Sequence, residues 1–152
     1  MANHLLESSA FVKYYQLEAG SDQVIALMDD PTNRNFISWL TLIEVHSALA
    51  RRVRMGELTD SEFKRMRAHL YAQLRLGRIR VVWWSRNHQW IAIRLLVKYG
   101  PTYPLRALDA IQLAVALDLR SQGLLDRLIS ADADLCVVAR MEGLSVLNPE
   151  AP

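Results

Sequence analysis

The chain has 152 residues, 51% of them apolar and 22% charged, a balance that excludes a disordered segment and suits one globular domain over residues 1–152 with its own hydrophobic core. The net charge is only +2, but residues 51–106 hold thirteen Lys/Arg against three acids, a net of +10, while the rest holds five against thirteen, a net of −8; such a basic segment fits a polyanionic partner and a solvated helix face equally well. The single cysteine, Cys136, excludes an internal disulfide, no run approaches the roughly 20 apolar residues of a membrane span, and the N-terminus lacks a secretory pattern, so a cytoplasmic protein that needs no membrane is expected.

Residues 4–7 (His-Leu-Leu-Glu) read as a short strand ending in a carboxylate, and Ser8 and Ser9 offer N-caps for a helix over 10–18 that Gly20 stops. A second short helix, 22–28, runs into Asp29-Asp30-Pro31, and 35–39 reads as a buried strand. Thr41 and Glu44 have the spacing of a capping box, opening a helix that ends at Gly56; Thr59 and Glu62 repeat that spacing before a helix to Leu76. Residues 79–84 are β-branched and aromatic, hence a strand, and Ser85 caps a helix ending at Tyr99-Gly100-Pro101. The most apolar helix covers 105–119; a short strand at 128–130, a helix over 132–141 and a last strand at 144–147 close the chain. Strands alternating with helices imply an α/β fold: a parallel β-sheet of four to five strands flanked by helices on both faces.

In such a sheet, ligands bind beyond the carboxyl ends of the strands. Glu7, Glu44 and Asp132 all fall where a strand hands over to a helix, and Asp109 falls in the first turn of the most apolar helix. Each also has a structural reading: Glu44 as the capping-box partner of Thr41, Asp132 as an N-cap, Asp109 as a charge favoured by the helix dipole, Glu7 as a solvent-facing strand end. Four carboxylates at one sheet edge repel one another and call for a cation, and oxygen-only ligands select hard ions such as Mg²⁺ or Mn²⁺. Cys136, in the run Leu-Cys-Val-Val-Ala, is expected in the core, as are most of Trp39, Trp83, Trp84 and Trp90, with one or two exposed at most. His4, His46, His69 and His88 form no ligand set or general-base triad.

The segments at 5–15, 41–49, 105–114, 130–135 and 142–149 resemble, in order and over nearly the full chain, those of PIN domains, especially VapC-type toxin ribonucleases. The resemblance implies an Mg²⁺-dependent endoribonuclease, the toxin of a toxin–antitoxin pair, with Glu44, Asp109 and Asp132 as metal ligands. It implies Ser9 and Ser130 as small polar groups at the rim and Arg106 as a phosphate contact or brace. It also implies an RNA substrate, an antitoxin that inserts an Arg or Lys near the acids, and a homodimer. Asp134 is expected to face solvent near the site. Two positions depart from the pattern. Glu7 stands where the family has Asp, one methylene longer, which keeps open a catalytically weakened domain that binds RNA or antitoxin without efficient cleavage. Gln112 stands where related toxins often carry His, a change expected to affect packing more than chemistry. The acids themselves do not distinguish RNA from DNA.

Overall fold

The computed structural model describes residues 1–151. Five strands and seven helices lie along them, with one or two helices between successive strands: β1 (Asn3–Leu6), α1 (Ser8–Tyr15), α2 (Ser21–Asp29), β2 (Arg34–Ser38), α3 (Trp39–Arg54), α4 (Asp60–Arg75), β3 (Ile79–Val82), α5 (Arg86–Tyr99), α6 (Ala107–Ser121), β4 (Arg127–Ile129), α7 (Ala133–Met141) and β5 (Val146–Leu147). The strands form one parallel sheet in the order β3-β2-β1-β4-β5. No helix among the described residues is long and apolar enough to cross a membrane.

The two-residue period of a strand builds the core on both sheet faces. Leu5, Phe36 and Leu128 pack on one face with Leu95, Leu113, Val115 and Leu135 from α5, α6 and α7. Their neighbours Leu6, Ile37 and Ile129 pack on the other with Phe11, Val24, Leu49 and Leu70 from α1 to α4. The sheet is therefore sandwiched between helices, and the central strand β1 sits at the point where the chain, having built β2 and β3 on one side, returns to build β4 on the other.

Several boundaries move, each for a reason of local hydrogen bonding. Helix α3 starts at Trp39, because the Ser38 hydroxyl accepts from the Thr41 backbone N–H at 3.0 Å. The expected Thr41–Glu44 capping box therefore does not form; Thr41 is buried inside the helix, and Glu44 is left for other partners. Helix α1 is capped by Glu7 rather than by Ser8 or Ser9. Helix α6 starts at Ala107, where the Arg106 backbone N–H donates to Asp109 Oδ2 at 2.9 Å. The expected boxes at Thr59–Glu62 and the cap at Ser85 are present.

The tryptophans differ from expectation. Trp83, Trp84 and Trp90 are 70%, 43% and 62% exposed. Strand β3 is an edge strand and ends at Val82, so the indoles that follow lie past the sheet. Trp90 lies on the outer face of α5 with the exposed Ile93 and Val97. Trp39 is the least exposed of the four, with its ring edge-on to Trp84 at 5.7 Å.

Candidate active site

Strands β1, β2 and β4 end side by side, and the residues that follow them open onto a cleft of about 320 Å³. Glu7, Glu44, Asp109 and Asp132 all line it, with Ser8, Ser9, Val12, Ala48, Arg106 and Leu108. Asp134 does not: it is exposed and borders a neighbouring depression instead. A larger hollow, about 510 Å³, lies at the opposite sheet edge among Arg34, Arg78, Arg80, Asp29 and Asp30, away from the four acids.

Each acid has one oxygen committed to the fold. Glu7, 7% exposed, turns its carboxylate back so that Oε2 accepts from the Ser9 backbone N–H at 3.0 Å, the Ser9 hydroxyl and the Ser130 hydroxyl at 3.0 Å. Its extra methylene is thus taken up by doubling back rather than by reaching forward, and Oε1 has no donor among the described residues. Burial pushes the Glu7 carboxyl above its ordinary value against the pull of Ser9 and Ser130, and the Glu44 charge adds to the rise. Glu44, one turn into α3, accepts at Oε1 from Ser8 Oγ at 2.7 Å and Gln112 Nε2 at 3.0 Å. Asp132 caps α7, accepting at Oδ1 from the Leu135 backbone N–H at 3.0 Å.

Arg106 neutralises the remaining pair. Its guanidinium donates to Asp109 Oδ2 at 3.0 Å and Oδ1 at 3.2 Å, and to Asp132 Oδ2 at 3.0 Å. Asp109 is 8% exposed, so this contact compensates a nearly buried charge, whereas the Arg106 side chain is 74% exposed. Ser9 and Ser130 tie the ends of β1 and β4 together, since Ser9 Oγ also accepts from the Ala131 N–H at 2.9 Å and Ser130 Oγ from the Asp132 N–H at 3.1 Å. Cys136, buried beneath Ser130, donates to its carbonyl at 3.4 Å, and burial pushes its thiol up, away from a nucleophile's range.

The sequence pattern did not reveal the polar network behind Glu44. Ser8, Ser38, Thr41 and Gln112 come from α1, β2, α3 and α6 and are joined by bonds of 2.8 to 3.4 Å. The available signal was Gln112, an amide on the inward side of a helix otherwise filled by Ala, Leu and Val. Besides packing, it hydrogen-bonds to Ser38, Thr41, Ser8 and Glu44.

The donor chemistry, oxygen-only with Glu7 Oε1 and Glu44 Oε2 accepting from no donor among the described residues, suits a hard divalent cation. Among the described residues no three acidic, His or Cys side chains are already gathered as a ready metal cage. Arg106 bridges Asp109 and Asp132, on oxygens that a cation there would need.

The PIN domain family profile matches residues 5–141. The chain belongs to the PIN domain family. No curated protein sequence matches it, but solved structures do. This PIN domain is similar to a toxin–antitoxin complex from Klebsiella pneumoniae (21% identity, 96% of this chain and 97% of that one, TM-score 0.61). It is similar to VapC20 of Mycobacterium tuberculosis, a toxin that cleaves the sarcin–ricin loop (18% identity, 88% and 93%, TM-score 0.65). It is also similar to VapBC2 from Rickettsia felis, bound to a DNA fragment from its promoter (13% identity, 95% and 97%, TM-score 0.65). At these identities the likeness establishes that the PIN fold extends over nearly the whole chain.

Proposed function

We propose that residues 1–152 act as one metal-dependent endoribonuclease domain, the toxin of a toxin–antitoxin pair, with Glu7, Glu44, Asp109 and Asp132 as ligands of Mg²⁺ or Mn²⁺. The observation that carries this reading is the cleft in which all four acids meet, each with one oxygen held by the fold. PIN family membership and the toxin–antitoxin neighbours support it. A bound divalent ion supplies an activated water and charge stabilisation for phosphodiester hydrolysis.

The chain's own residues set the geometry. Ser9 and Ser130 hold Glu7, Ser8 and Gln112 hold Glu44, and the α7 cap holds Asp132. Arg106, released from Asp109 and Asp132, turns its guanidinium to the scissile phosphate, for which its planar fork is suited. Asp134, two residues past Asp132, stays at the rim. The antitoxin partner presents an Arg or Lys that takes the place Arg106 now holds. A homodimer is supported by Trp90, Ile93 and Val97, whose exposure leaves an apolar stripe along α5. A cytoplasmic location, where RNA and antitoxin are both present, belongs to the same reading.

The purified protein with Mg²⁺ or Mn²⁺ is expected to cut structured RNA, and Asp109→Asn to abolish cutting. Cutting that survives both Asp109→Asn and a chelator would sink the enzyme reading; DNA cut in preference to RNA would reassign the substrate. One observation favours the weakened-domain alternative: the Glu7 carboxylate is folded back onto Ser9 and Ser130. Glu7→Asp separates the two, because a large gain in rate marks a weakened natural enzyme and a loss marks a site adapted to glutamate.

A further inference from the structure

Gln112 is 1% exposed on the most buried helix of the fold. An unpartnered amide there would be costly, so its hydrogen bonds decide whether the position is tolerable. Both ends are partnered: Oε1 accepts from Ser38 Oγ at 2.8 Å, and the two N–H bonds of Nε2 are shared among Thr41 Oγ1 at 2.9 Å, Glu44 Oε1 at 3.0 Å and Ser8 Oγ at 3.1 Å. Chemistry fixes which end is which. An ionised carboxylate only accepts, so turning the amide round would set its oxygen against Glu44 Oε1.

The consequence falls on Glu44. Two donors, Gln112 and Ser8, converge on the same oxygen, Oε1, and Oε2 has none among the described residues. The side chain is therefore pinned from behind with one oxygen left for the cleft. The Ser38 hydroxyl that orients the Gln112 amide also caps α3, so the bond that starts the helix and the bond that aims its carboxylate share one group.

We infer that Gln112 is a positioning residue for Glu44, acting through its N–H to fix the carboxylate as a one-oxygen metal ligand. This rests on the metal-site reading above. Loss of such an orienting bond typically weakens metal binding by about 10–100-fold. Gln112→Met keeps the volume and removes the donor, and Gln112→His retains a ring N–H donor at that position. Mn²⁺ binding to the full chain, followed by the loss of free Mn²⁺ signal in electron paramagnetic resonance, is expected to weaken about 10-fold or more in Gln112→Met. In Gln112→His it is expected to stay within about threefold of the natural chain, against that 10–100-fold range. Against RNA, kcat is expected to fall in Gln112→Met with KM little changed.

Ser8→Ala, at the partly exposed end of the network, is expected to weaken Mn²⁺ in the same direction and decides the matter if Gln112→Met does not fold. Equal Mn²⁺ affinity in the natural chain and Gln112→Met, or equal losses in Met and His, would overturn the inference while leaving the metal site standing. A natural chain that binds no Mn²⁺ would overturn the function itself, and the inference with it.

Discussion

A carboxylate has two oxygens, and in this cleft the fold uses one of each to aim the other. Arg106 is the exception to that economy, since it engages both oxygens of Asp109 and one of Asp132. As a cation among acids it neutralises charges that otherwise repel. Arg106→Ala is expected to lower the melting temperature in chelator by about 2–4 °C, the equivalent of roughly 1 kcal/mol in a chain of this length. The same variant is expected to gain more stability than the natural chain when Mg²⁺ is added, because binding energy is no longer spent on displacing the guanidinium. Thermal melts with and without Mg²⁺ check both; identical Mg²⁺ shifts in the two proteins would remove Arg106 as a competitor. At this scale the positions of the acids were legible, because Glu7, Glu44 and Asp132 follow strands and Asp109 opens a helix, which local pattern can mark. Ser8 and Gln112 were not: their common partner, Glu44, lies 36 and 68 positions away along the chain.

Among the elements, the order and type of strands and helices were legible throughout, and the errors lie at their ends. Helix α3 shows why. Thr41 and Glu44 satisfy the capping-box spacing as well as Thr59 and Glu62 do, yet only the second pair forms the box. Ser38, held in extended geometry at the end of β2, reaches the Thr41 N–H first, and the helix begins before the expected cap. The junction before α2 depends on Gly20, whose φ of +81° is the left-handed region that disfavours side chains. A Cβ there would lie 2.7 Å from the Pro149 carbonyl oxygen. Gly20→Ala is therefore expected to cost at least about 1–2 kcal/mol, through backbone strain and through the forced retreat of the C-terminal segment. Urea unfolding measures it, and a loss below a few tenths of a kcal/mol would contradict the close approach.

Over the whole molecule, charged hubs join segments far apart in sequence. Glu142 receives Lys98 at 2.8 Å, Arg94 at 3.1 Å and the Tyr99 hydroxyl at 2.7 Å, fastening the end of α7 to α5. Burial alone would raise its carboxyl, but Lys98, Arg94 and Tyr99 outweigh that and hold it down at about 2. The folded value lies below the ordinary 4.5, so the stabilisation is complete above that pH and is lost as the pH falls from 4.5 towards about 2. With Arg94 and Lys98 half-exposed, it amounts to roughly 1–2 kcal/mol, and Glu142→Gln is expected to flatten the stability profile over that interval. Denaturant titrations at a series of acidic pH values check this; an unchanged acid limb would refute the role of Glu142. The stripe of Trp90, Ile93 and Val97 predicts assembly at the same scale. If α5 is the homodimer face, Trp90→Glu should halve the mass seen by sedimentation, and a natural chain that is monomeric at all concentrations would dismiss that face.

The sequence by itself determined the parallel α/β sandwich, because periods of two and of three to four residues are local properties that decide which side of each element is apolar. It also determined that acids would stand at the carboxyl edge of the sheet, since Glu7, Glu44, Asp109 and Asp132 each follow a strand or open a helix. Only the tertiary structure decided that Glu7 and Glu44 each keep one oxygen without a donor, through Ser130 on Glu7 and Gln112 on Glu44, while Arg106 engages Asp109 and Asp132. It likewise decided that Trp83 and Trp90 stay outside the core, at the edge of the sheet and on the uncovered side of α5. A strand or helix records its own period in its residues, but a hydrogen bond between distant segments forms only after those segments have packed, and spacing along the chain does not encode it.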